Sequence, residues 1–124
     1  MPDDNVVETR EAIEEVVKEI RDCANNPEKV NLSPCLSRPE TRVFMARYRL
    51  HNSDIRDYLS NLRVEDYSYT SRETGKDNAY VFGPDTRDDY DVFLKVQIIK
   101  GVLVLSFHEP EREMEFPFRG RKSK

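Results

Sequence analysis

The chain has 124 residues, enough for one domain with a real apolar core and too few for two ordinary ones. Its formal net charge of −4, with 35% of residues charged, describes a well-solvated surface and argues against indiscriminate nucleic-acid binding. No apolar stretch approaches the roughly 20 residues of a membrane helix, and MPDDNVVETREAIEE is acidic where a signal peptide is basic and then apolar, so a cytoplasmic protein with no membrane partner is expected. Cys23 and Cys35 have no CxxC spacing and no histidine nearby, which reads as two free thiols.

From about Val7 to Ala24, Ile13, Val16, Val17, Ile20 and Ala24 recur at spacings of three and four. That pattern predicts an amphipathic helix, ended by Asn25-Asn26-Pro27. Pro27, Pro34 and Pro39 make residues 27–40 a connecting loop, with a short extended piece at Val30 to Leu32. Glu40 to about Leu50 fits a second helix through Val43, Phe44, Arg47, Tyr48 and Leu50, although its β-branched and aromatic content leaves a strand as the rival. His51-Asn52-Ser53-Asp54 supplies a break and an N-cap, and Ile55, Tyr58, Leu59 and Leu62 give the face of a third helix.

Asp66 to Ser71 and Asn78 to Gly83 read as strands around a turn region at Gly75-Lys76-Asp77. In the second, Tyr80 and Phe82 point to one side and Ala79 and Val81 to the other. An acidic loop from Asp85 to Asp91 precedes the last two strands. It fails the calcium-loop pattern, lacking the required glycine and closing glutamate, so no metal ligand and no cofactor is expected. After Phe107, the alternation of Met114, Phe116 and Phe118 around Pro117 fits an extended edge segment lying on the domain. Helices first and strands afterwards predict an α+β domain, with helices on one face of a mostly antiparallel four-stranded sheet.

Val92 to Ile99 and Val102 to Phe107 flank Lys100-Gly101, which suits a two-residue hairpin turn. Counting outward, Ile98 faces Leu103, Val96 faces Leu105 and Leu94 faces Phe107, giving an apolar side. The opposite side pairs Gln97 with Val104, Lys95 with Ser106 and Phe93 with His108. Diagonal neighbours on such a ladder lie roughly 7–8 Å apart, so Lys95 and His108 can flank one phosphate. Tyr80, Phe82 and Phe93 are predicted on that same side, where rings interleaved with cations stack bases and hold phosphates. A slip by one residue would bury Lys95 and expose Leu94.

The segments LRVEDYSYTS (62–71), YVFGPD (80–85), DVFLKVQII (91–99), VLVLSFHE (102–109) and EFPF (115–118) resemble, in order and spacing, the MqsR-type toxins of bacterial toxin–antitoxin pairs, which belong to the RelE-like ribonucleases. The likeness spans roughly residues 38–118 and leaves the first helix outside it, free to dock an antitoxin or to complete the core. It implies a RelE-like fold, metal-independent cleavage of messenger RNA by its own 2′-hydroxyl, and inhibition by a cognate antitoxin; whether the ribosome takes part stays open. His108 in SFHE falls on the family's proton-transferring or cationic position, and Lys95 in FLKV on the family's strand lysine. Relatives often carry tyrosine two residues before that lysine, where this chain has Phe93, leaving Tyr80 or Tyr67 to supply a hydroxyl.

The resulting candidate site has His108, Lys95 and Tyr80 as catalytic residues. Phe82, Phe93, Gln97, Ser106, Arg119 and Arg121 are the RNA-binding residues, the last two in a basic, flexible tail from 119 to 124. Taken singly, a strand-end histidine or an exposed-strand lysine is more often an ordinary surface residue, and a basic tail is usually solvated. The alternative function is a noncatalytic module on the same fold that binds a protein or an RNA.

Overall fold

The structure, a computed structural model, describes residues 4–72, 77–86 and 90–119. Strand β1 (Asp4–Val6) leads to helix α1 (Arg10–Ala24), whose start is fixed by Thr9: its Oγ1 accepts the Ala12 N–H at 3.2 Å. Of the expected apolar stripe Ile13, Val17 and Ile20 are buried and Val16 and Ala24 partly so, while Cys23 is a buried member that the stripe did not include. A 3-10 turn at Pro27–Lys29 then precedes the two-residue strand β2 (Val30–Asn31) and a single helical turn, α2 (Ser33–Leu36).

Helix α3 (Pro39–Tyr48) resolves the helix-or-strand ambiguity, with Thr41 and Phe44 buried and Met45 and Tyr48 packed against the core at helical spacing. Pro39 opens it, where its missing N–H costs nothing, and Arg49 in the left-handed conformation (φ 58°) closes it. Helix α4 (Asn52–Ser60) follows after two residues more, its first turn tied by the Asp54 carboxylate, which accepts the His51 N–H at 2.7 Å.

Strands β3 (Tyr67–Arg72), β4 (Ala79–Phe82), β5 (Phe93–Ile98) and β6 (Val102–His108) form the expected antiparallel meander. The sheet is nevertheless six-stranded and mixed, in the order β1-β3-β4-β5-β6-β2, with β1 antiparallel to β3 and β2 parallel to β6. The four-stranded expectation failed at both edges because β1 and β2 are only three and two residues long, too short for periodicity to register. The architecture is α+β. Ile13 and Ile20 of α1, Phe44 of α3, and Ile55 and Leu59 of α4 share one core with Phe82, Leu94, Val96, Val104 and Phe107 of the sheet. The first helix therefore completes the core.

The hairpin keeps its predicted register only in its outer half, where Phe93, Leu94 and Lys95 face His108, Phe107 and Ser106. Nearer the turn the pairs are Val96 with Val104, Gln97 with Leu103 and Ile98 with Val102, so Leu105 is an extra residue in β6, a bulge. Val104 consequently joins the core, and Leu103 shares the opposite side with Gln97. The loop is correspondingly three residues long, with Lys100 at φ 53° and Gly101 at φ 126°. The turn also lies close against the chain entering β2: a Cβ on Gly101 would stand 2.6 Å from the Lys29 carbonyl oxygen.

The segment after His108 lies on the domain as expected but forms no strand among the described residues. Ser68 Oγ donates to the Glu115 carbonyl at 2.7 Å, and Phe118 stacks on Tyr67 at 5.7 Å.

Candidate functional site

Side-chain alternation along β5 and β6 sends Leu94, Val96 and Phe107 toward the helices and Phe93, Lys95, Ser106 and His108 to the opposite side of the sheet. These four are brought together as expected. Phe93 and His108 face each other at the end of the ladder with rings stacked at 5.0 Å and 10°. Lys95, facing Ser106, is the diagonal neighbour of His108, at roughly 7–8 Å between Cβ atoms by antiparallel geometry.

The imidazole is oriented. His108 Nδ1 lies 2.7 Å from the carbonyl oxygen of Glu109, and since a carbonyl only accepts, Nδ1 carries the hydrogen. In the neutral ring Nε2 then holds the lone pair, the arrangement a general base requires. His108 and Phe93 line a groove of about 840 Å³ together with Tyr69, Ser68, Arg112 and Glu111, Glu113 and Glu115.

Tyr80 and Phe82 are not in this groove. Tyr80 faces Val96 and Phe82 faces Leu94, so both belong to the helix-covered side; Phe82 is fully buried there and Tyr80 packs against the same core. Val81, facing Lys95, takes the side assigned to them. The inversion has a simple origin: an aromatic at the surface-side positions of a four-residue strand is indistinguishable by pattern from one at the core-side positions. Tyr67, the other hydroxyl considered, is also fully buried, with its OH 2.7 Å from Thr70 Oγ1.

The tyrosine on the His108 side is Tyr69, which faces Val81 in the row that continues to Lys95 and Ser106. Burial pushes its phenol above the ordinary value, against the lowering influence of Arg112, so it is a protonated hydrogen-bond donor near neutral pH. Sequence reasoning missed both Tyr69 and Arg112. The first was recoverable by carrying the alternation across the β3–β4 ladder from Lys95, had the bulge in β3 between Tyr67 and Tyr69 been known.

Gln97 is on the expected side but four residues along β5 from Phe93, roughly 13 Å away, and its amide donates to the Asp77 carbonyl at 2.9 Å. Arg119 is not a free tail residue: it lies 3.3 Å from the buried Asp66 carboxylate, donates to the Gly83 carbonyl at 3.2 Å and stacks over Phe116 at 3.8 Å. Arg121 lies outside the described residues, as do Asp88 and Asp89 of the acidic loop. Among the described residues no group of three His, Cys, Asp or Glu side chains is placed to hold a metal ion, and no helix is long and apolar enough to cross a membrane.

Comparison of the chain with protein-family models, with curated proteins and with solved structures finds no match.

Proposed function

We propose that the chain is a RelE-like endoribonuclease of the MqsR type, an mRNA interferase that cleaves single-stranded messenger RNA without a metal and is held inactive by a cognate antitoxin. One observation carries the reading: the Nδ1–H of His108 is committed to the Glu109 carbonyl, leaving Nε2 as the proton acceptor beside Lys95 and Phe93 on one side of the sheet. In this mechanism Nε2 takes the proton of a ribose 2′-hydroxyl, the 2′ oxygen attacks the adjacent phosphorus, and the 5′ oxygen departs with a proton returned by the imidazolium. Lys95 offsets charge building on the phosphate oxygens, and Phe93 stacks a base beside the scissile bond. Tyr69, a protonated, half-buried phenol, replaces Tyr80 as the hydroxyl that hydrogen-bonds the substrate.

A second reading is favoured by one feature. Glu111, Glu113 and Glu115 line the groove that holds His108, where a polyanion meets repulsion and a basic protein segment does not. It makes the chain a noncatalytic protein-binding module.

The deciding experiment incubates the purified chain with a long single-stranded RNA in excess chelator, with and without ribosomes, and maps the ends of any fragments. Cyclic-phosphate and 5′-hydroxyl ends are expected from wild type, with His108→Ala slower by ~10²–10⁴-fold and Lys95→Ala by ~10²–10³-fold. Intact RNA under every condition would sink the ribonuclease reading in favour of the binding module.

A further inference from the structure

We infer that Glu109 is a positioning residue for His108, its carboxylate held by α3 so that its own peptide carbonyl dictates which imidazole nitrogen is free. Three contacts in series make the connection. Tyr48 OH donates to one Glu109 carboxylate oxygen at 3.0 Å, Arg47 Nη1 donates to the other at 3.2 Å, and the Glu109 carbonyl receives the His108 Nδ1–H at 2.7 Å.

The peptide needs such a clamp. Among the described residues the pairing of Phe93 with His108 is the last of the hairpin ladder, so no neighbouring strand fixes Glu109. Pro110 contributes by restricting the residue before it to extended conformations, which narrows the peptide's orientation without setting it. The two clamping groups differ in weight. The Arg47 pair is largely solvent-exposed and adds little. Tyr48 is the rigid element, because its ring is wedged against Phe44 at 5.4 Å and Tyr90 at 4.5 Å, and Phe44 in turn meets Phe107, the residue before His108, at 5.3 Å. One aromatic cluster thus locates both the end of β6 and the hydroxyl that orients the peptide following it. Glu109 touches no reacting atom and acts only through the imidazole.

The role in catalysis rests on His108 being the base; the clamp itself does not, and the test separates the two. The full chain is labelled with 15N-histidine and its imidazole nitrogens are observed by NMR without RNA, above the pH at which the ring is protonated. With only two histidines in the sequence, His51→Asn assigns the spectrum. Wild-type His108 is expected to show a protonated Nδ1 and a lone-pair Nε2. Tyr48→Phe, which keeps the ring in its cluster, and Glu109→Ala are expected to move the population toward the Nε2–H form that an unconstrained imidazole favours. Glu109→Gln, which still offers Tyr48 an acceptor, retains the wild-type tautomer. In the RNA assay, kcat falls roughly ten- to a hundredfold in the first two variants with KM held, short of the ~10⁴-fold loss a fully wrong tautomer causes in a serine protease.

A wild-type Nε2–H tautomer overturns the inference, and so does a tautomer indifferent to Tyr48→Phe. If Glu109→Ala fails to fold, Tyr48→Phe alone decides. Tautomer shifts as expected with no cleavage by any form uphold the clamp and retire the ribonuclease reading.

Discussion

Cys35 of α2 is fully buried, with its Sγ donating to the Leu32 carbonyl at 3.2 Å, and burial pushes its thiol up to about 11. Cys23, buried on α1, is also raised, first by burial and then by Glu19. Both are thus inert thiols at neutral pH, and Cys35 alkylation is expected to run roughly a hundredfold slower in the native chain than in urea. Iodoacetamide labelling read by mass spectrometry checks this; equal rates would mean that α2 opens freely. Asp66 is a buried acid of another kind, one with charged partners beside it. Burial pushes its pKa up and outweighs the Arg63 N–H, Arg63 and Arg119, which all pull it down. A carboxyl raised on folding binds its proton more tightly in the native state, so its contribution is full below the unfolded value of 3.8 and is lost as pH rises through the folded value. The stability of wild type relative to Asp66→Asn, from urea denaturation at a series of pH values, is therefore expected to decline from pH 3.8 upward. A rising difference would show that the arginines prevail over desolvation. Neither burial was visible in the sequence, where Asp66 is one acid among many; its two arginine partners lie 3 and 53 positions away.

The hairpin shows what local pattern can and cannot specify. Its strands, its location and the side on which Lys95 and His108 sit were legible because β-branched alternation reports faces directly. The turn was not, since its three-residue length goes with the extra residue Leu105, and a bulge leaves no mark on the apolar alternation. At φ 126° and with a backbone oxygen 2.6 Å from any added Cβ, Gly101 takes a side chain only with strain. Gly101→Ala is expected to destabilise the protein by about 1–3 kcal/mol, seen as a lower urea midpoint with an unchanged slope. An unaltered midpoint would mean that the turn and β2 part easily. The same limit explains β4: four residues carry one bit of facing information, and Tyr80 and Phe82 were read with the wrong sign until the ladder to Leu94 and Val96 supplied it. Phe93, Lys95, Ser106 and His108 on the long strands therefore come together on one side as expected, Gln97 lies farther along β5, and Tyr80 and Phe82 on the short strand take the other side.

At the scale of the molecule, the portion lying outside the family resemblance is built into the rest. β1 forms one edge of the sheet and β2 the other, while Ile13 and Ile20 of α1 are fully buried among sheet and α4 residues. Ile20→Ala is expected to cost about 2–5 kcal/mol and to lower the single unfolding transition of the whole chain. A separate early transition, leaving near-native signals from the meander, would show that the N-terminal third folds on its own account. The amphipathic period of α1 announced its buried stripe; which surface received that stripe was set by tertiary contacts alone.

Leu105 has a consequence for how chains of this architecture can differ in length. Removing one residue from a paired strand ordinarily turns every later side chain to the wrong face. Here the residue is supernumerary: without it, Val104 would still oppose Val96 and Ser106 would still oppose Lys95, and the ladder would simply become regular. The position is a tolerated point of deletion inside a core strand, and homologous chains one residue shorter in β6 are expected to lose it here while keeping the histidine opposite the aromatic ring.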